Sequence, residues 1–237
     1  MRERPILFSG PLVRAILDRR KTQTRRLITP QPEHVREHMD GRIRVPDGWR
    51  WRETYGADDG GRFAENVAEH CPFGRRRDLL WVRETWRTGV ALDHMSPAAI
   101  ADQCINAGYV KPWAPLKYEA DGATINDDNF HRGDFGGGWG KTRVAIHLPR
   151  WASRLLLEVT EVRVQRLQDI TEEDARAEGV DADTSACDHA RRTCAEVACT
   201  GPGYRAAFAD LWNEINGERA GWASNPWVWV ITFRWVP

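Results

Sequence analysis

The closing run NPWVWVITFRWV constrains the fold more than any other stretch. Trp227, Trp229, Ile231, Phe233 and Trp235 recur at every second position, which puts them on one face of an extended strand. A strand this apolar needs a sheet to bury it. Leu155, Leu157 and Val159 alternate in the same way and predict a second strand. Its alternation slips at Glu161 and resumes at Val162 and Val164, the pattern of a β-bulge. RRDLLWVRETW (76–86) and RVAIHLP (143–149) read as further strands.

Helices are expected at three places. Ser9 can cap a first one, with Pro11 in the opening turn and Val13, Ile16 and Leu17 as its apolar stripe. Thr171 and Asp174 form a capping-box-like pair for a second, short one that stops at Gly179. Tyr204, Phe208, Leu211, Trp212 and Ile215 fit a third, ending at Gly217. Strands and helices are mixed without regular βαβ alternation, which predicts an α+β chain with a largely antiparallel sheet or a small barrel. We read residues 1–237 as one domain with loop-rich insertions at about 30–70 and 90–140. A third insertion, at about 183–203, carries cysteine and histidine.

Equal numbers of basic and acidic residues, 34 each, mean that any affinity for nucleic acid must come from local patches. Only Lys21, Lys111, Lys117 and Lys141 of the basic residues are lysine, and the rest are arginine, which suits planar contact with phosphates and base edges. The twelve tryptophans are expected mostly in the core. With no membrane-length apolar run and no signal-like h-region, the expected location is the cytoplasm, where the five cysteines would be thiols or metal ligands.

Three motifs carry chemistry. GGGWGKT imitates a nucleotide-binding P-loop, but the position five residues before Gly140 is Phe135, not glycine. It is therefore a flexible loop, from which Lys141 can contact a ligand. Cys187, His189, Cys194 and Cys199, spaced C-x-H-x4-C-x4-C, can close a tetrahedral zinc site, with Cys71 as a substitute ligand. Four protein ligands leave no open position, so such a zinc would be structural; no organic cofactor is expected. His147 is either a core histidine or a pocket residue.

The third motif is RRKTQTRR (19–26). Lys21 and Thr24, three apart, share one side of a turn or helix end. A threonine hydroxyl is a poor nucleophile until a neighbour takes its proton, and a lysine does so only when its pKa falls. Arg19, Arg20, Arg25 and Arg26 supply like-charge pressure in that direction. The other reading is a solvated basic turn, the commoner outcome for such runs.

In their order along the chain, RRKTQTRR, RRDLLWVRETW, HLPRWASRLLLEVTEVRVQRLQDIT, ITEEDARAEGV and VWVITFRWV resemble the ASCH-domain family of the PUA-like superfamily, most of all its bacteriophage and prophage members. The resemblance covers about half of the chain, in scattered pieces. It implies a small mixed β-barrel with flanking helices and long loop insertions. Some bacterial members are amidohydrolases that deacylate N4-acetylcytidine with a lysine, a threonine and a glutamate. Matched residue by residue, Thr24 would be the nucleophile, Lys21 its activator, and Glu178 of DARAEGV the group that orients Lys21. Arg26 and Arg83 would anchor phosphate or a developing oxyanion. The implied substrate is a modified pyrimidine nucleoside or nucleotide. Other relatives bind RNA, and some are thought to cut it, so a module for RNA or single-stranded nucleic acid is the alternative. The known amidohydrolases are less than half as long, so the insertions would reshape the pocket.

Overall fold

The protein chain, seen in a computed structural model, is described over residues 1–29, 31, 33–34, 43–44, 71–126, 135–184 and 202–236. In chain order its main elements are β1 (Glu3–Leu7), α1 (Gly10–Leu17), β2 (Gln23–Leu27), and the short pair β3 (Glu33–His34) and β4 (Ile43–Arg44). Then come β5 (Leu79–Arg83), β6 (Trp86–Thr88), α2 (Pro97–Asn106), β7 (Leu116–Tyr118) and β8 (Thr124–Ile125). The last are β9 (Leu156–Arg166), α3 (Glu172–Ala177), α4 (Tyr204–Ala220) and β10 (Trp227–Val236). The chain is α+β, with parallel and antiparallel strand pairs. It forms two compact units: residues 1–19, 78–158 and 235–237 in one, residues 20–77 and 159–234 in the other.

In the first unit β1 runs parallel to β5, with Pro5 opposite Trp81, and β5 pairs antiparallel with the start of β9, with Leu80 opposite Leu157. Pro11 opens α1, which buries Val13, Ala15 and Ile16, while Ser9 occupies the cap position without a side-chain hydrogen bond. Arg19 follows in left-handed conformation (φ 59°), where the chain leaves the helix. The 90–140 stretch, expected to be loop, contains α2, β7 and β8. Ser96 caps α2 by accepting the Ala99 N–H at 3.1 Å, and β6, β7 and β8 form an antiparallel sheet. Trp86, Ile100, Leu116, Tyr118 and Leu148 pack into a cluster there. A run of alternating and helical apolar residues too short to read singly thus becomes a core once paired. The expected strand at RVAIHLP is replaced by a 3₁₀ turn, Ala145–His147, with a second just after it at Arg150–Ala152, and Arg143 alone bridges to Trp86.

In the second unit the strand order is β9, β10, β2. β10 pairs antiparallel with β2, with Val230 opposite Arg25 and Ile231 opposite Thr24. Because alternate residues face opposite ways, Val228 and Val230 lie on one side of β10 and Trp229 and Ile231 on the other; all four are buried. Val228 and Val230 pack with Leu167, Ile170, Ala175, Phe208 and Trp212 beneath α3 and α4. The tryptophan face read from the sequence is therefore only half of a strand covered on both sides. α3 begins at Thr171, whose hydroxyl accepts the Asp174 N–H at 3.1 Å, and stops at Gly179 (φ 83°) as expected. α4 runs through Gly217 to Ala220 and leaves Ile215 exposed.

Candidate functional site

Only the start of RRKTQTRR is an exposed turn after α1, at Arg19 and Arg20. From Gln23 the stretch is strand, and Lys21, Gln23, Thr24 and Arg25 are all buried. β2 is the last strand in its unit's order, so one of its edges lacks a ladder partner in that sheet. The C-terminal end of α3 meets that segment. Ala177 O accepts the Thr22 N–H at 2.9 Å, and Glu178 O accepts from Lys21 Nζ at 2.7 Å. Both are carbonyls that a helix end leaves without internal partners, and a cation there also suits the helix dipole.

Lys21 Nζ donates to two further oxygens, Gln23 O at 2.7 Å and Glu178 Oε2 at 2.8 Å. Three acceptors match the three protons of an ammonium. The Lys21 and Glu178 side chains are 1% and 4% exposed, so this ion pair is shielded from water. Burial, opposed by Glu178 and helped by the charges of Arg26 and Arg25, moves the Lys21 pKa below its ordinary value. The structure thus joins two residues separated by more than 150 positions in sequence.

Glu178 is shared. Its Oε1 accepts from Arg25 Nη1 at 3.1 Å, and Arg25 Nη2 reaches Asp174 Oδ2 at 2.8 Å and Gln165 Oε1 at 3.3 Å. Gln23 closes a ring: its Oε1 accepts from Arg25 Nη1 at 2.5 Å and its Nε2 donates to Asp174 Oδ1 at 3.2 Å. Arg163 Nη2 adds contacts to both Asp174 oxygens, at 3.0 and 2.9 Å. Burial raises the Asp174 pKa, yet Arg25 and Arg163 outweigh it and hold the carboxyl below its usual range. Asp174 therefore does not return to Thr171 as a full capping box would; its carboxylate is drawn off to the arginines.

The sequence named Arg25 only as a source of like charge near Lys21, and it did not single out Gln23, Gln165 or Arg163. Two signals were available. Gln23 and Arg25 alternate with Thr24, which puts them on one strand face, and Asp174 and Glu178 are four apart on a helix, which aligns both carboxylates.

Thr24 belongs to the opposite face of β2 from Arg25, beside Ile231. It is 4% exposed. It lies in a strand, so the helical spacing to Lys21 first read there does not apply. Arg26 shares the Thr24 face and lies over Phe73 at 5.9 Å; burial lowers its pKa while Glu178 opposes the change.

The remaining expected ligand-binding residues belong to the first unit. The Arg83 guanidinium stacks on the Trp81 ring at 4.6 Å. Lys141 is exposed, with its backbone N–H donated to the Asp93 carboxylate. His147 is exposed on its 3₁₀ turn, neither a core residue nor part of the buried cluster. Cys187, His189, Cys194 and Cys199 lie outside the described residues; among the described residues no group of three metal-type side chains gathers. Among them, too, no helix is long and apolar enough to cross a membrane. The chain matches no protein-family model, no curated protein and no solved structure.

Proposed function

We propose that the chain is an amidohydrolase acting on an N4-acylated cytidine or a related modified pyrimidine nucleoside or nucleotide, within a PUA-like ASCH fold. The observation that carries this reading is the buried Lys21–Glu178 ion pair, reached from the two ends of the sequence, with the buried Thr24 three residues along the chain from Lys21. Amine, carboxylate and hydroxyl are the groups that acyl transfer through a threonine ester needs.

In this reading Lys21 works as a neutral amine. Losing its proton leaves Lys21 two N–H groups, one kept on Glu178 Oε2 and one on a backbone carbonyl, and a lone pair in the third direction. That lone pair takes the proton of the Thr24 hydroxyl as its oxygen attacks the acyl carbonyl. The tetrahedral intermediate collapses, the C–N bond breaks, and the proton passes from Lys21 to the departing exocyclic amine. Water then attacks the Thr24 ester, releasing the carboxylic acid and restoring the hydroxyl. Glu178 holds the Lys21 side chain in place throughout, and the lowered Lys21 pKa lets the neutral form exist at milder pH than for a free lysine.

The test is release of acetate and cytidine from N4-acetylcytidine. Wild type should turn over, Thr24→Ala should release no acid, and Thr24→Ser should retain activity. No acetate from wild type, together with RNA binding that weakens steeply with salt, would instead favour the nucleic-acid module. Turnover that survives in Thr24→Ala would remove Thr24 from the mechanism.

A further inference from the structure

The arginine beneath Glu178 has no role in that chemistry as written, yet it is among the most enclosed charges in its unit, with a side chain 0% exposed. Its position is specific. One nitrogen, Nη1, meets Glu178 Oε1 and the other, Nη2, meets Asp174 Oδ2, so a single planar fork spans two carboxylates four residues apart on α3. Gln23 braces the fork from within β2, and the Phe208 ring of α4 lies 5.8 Å from its centre. Glu178 in turn divides its two oxygens between Lys21 and Arg25.

We propose that Arg25 is a positioning residue that holds Glu178 on two cations at once, so that Lys21 never commands the whole carboxylate. This rests on the amidohydrolase reading for its consequence to the rate, but the effect on Lys21 is a property of the folded chain alone. Two forces act in the same direction. Arg25 competes for the negative charge that stabilises the Lys21 ammonium, and its own positive charge repels that ammonium. The other groups facing the pair have been placed as well. β2 adds Arg26, whose charge acts on both Lys21 and Glu178; α3 adds Asp174; β9 adds Arg163, on Asp174, and the neutral Gln165; α4 presents Phe208. Asp174 matters because it anchors the far side of the fork. With Asp174 neutral, the Arg25 charge would bear undivided on Glu178.

The chain offers a direct readout, since it contains only four lysines. Lysine labelled with carbon-13 at Cε, in the intact protein, gives one signal for each, and Lys21→Met identifies the buried one. The pH titration of that signal is followed in wild type, Arg25→Met, Arg25→Lys and Asp174→Asn. Arg25→Met should raise the Lys21 midpoint by about one pH unit or more, a tenfold gain in proton affinity. Arg25→Lys keeps the charge but not the fork, and should fall between. Asp174→Asn should move the midpoint the opposite way, downward. In the wild type and these variants, the rising limb of the pH–rate profile with N4-acetylcytidine should move with the midpoint.

A bracing role alone would lower the melting temperature of the variants and leave the midpoint where it was; that result overturns the proposal. If Arg25→Met does not fold, Arg25→Lys and Asp174→Asn decide through their opposite signs. Midpoints that move while wild type releases no acetate would defeat the proposed function and leave this inference standing. Acetate release with unmoved midpoints would do the reverse.

Discussion

Replacing Glu178 with glutamine keeps the side-chain size and removes the charge that offsets two buried cations. Lys21 is then left with carbonyl acceptors only, inside a site where its side chain is 1% exposed, while Arg25 keeps Asp174. Removing one partner of a buried ion pair costs about 3–5 kcal/mol. Lys21 has a way out, however, which sets an upper bound on its share: it can fold as the neutral amine. From an ordinary pKa of 10.5, taking the proton off costs about 5 kcal/mol at pH 7 and about 2 kcal/mol at pH 9. The sign follows from proton linkage. With its folded pKa depressed, Lys21 binds less proton folded than unfolded, so stability rises with pH between the folded value and 10.5. Glu178→Gln depresses it further and extends that rise to lower pH. Urea unfolding of wild type and variant at pH 7, 8 and 9 measures the difference, which should be about 3–5 kcal/mol at pH 7 and shrink toward about 2 kcal/mol at pH 9. A penalty below about 1 kcal/mol that does not change with pH would show that the ammonium never depended on this carboxylate.

Three further predictions concern the rest of the chain. Glu84 is buried and receives Arg154 through two contacts of 2.9 Å, while Arg154 also grips Asp121. Since Asp121 remains, Glu84→Gln should cost less than a fully isolated pair, about 2–3 kcal/mol by denaturant unfolding. Gly140→Ala would set a methyl group onto the Asp93 carboxylate that accepts the Lys141 N–H, so the melting temperature should fall, whereas Gly138→Ala, with open space around it, should leave it nearly unchanged. The Cys187, His189, Cys194 and Cys199 expectation is checked by metal analysis: purified protein should hold about one zinc, and Cys194→Ser should lose both metal and melting temperature. A variant that keeps both ends that idea.

Much of the local structure was legible in the sequence because it rests on local rules. Proline at a helix start, a glycine stop at 179 and period-two alternation near 157 and 230 act over a few residues, and each appears where expected. The misreadings share a cause. RVAIHLP alternates like a strand yet forms turns, and the 90–140 stretch looked like loop yet builds α2, β7 and β8 around Ile100, Leu116 and Tyr118. In both places the outcome was set by which partner strand was present, a non-local condition that short windows do not carry.

For the candidate site the division is sharper. Residue types and spacing made Lys21 and Thr24 worth singling out, because an amine can activate a hydroxyl for acyl transfer, whereas Glu178 entered only through the resemblance to the ASCH family. That Lys21 and Glu178 meet was decided by the fold. It carried the end of α3 to the open edge of β2, buried the ammonium against that carboxylate, and sent Arg25 and Thr24 to opposite faces of one strand. Charge in water is nearly independent of distant neighbours. Charge removed from water is governed by whatever the chain has folded against it.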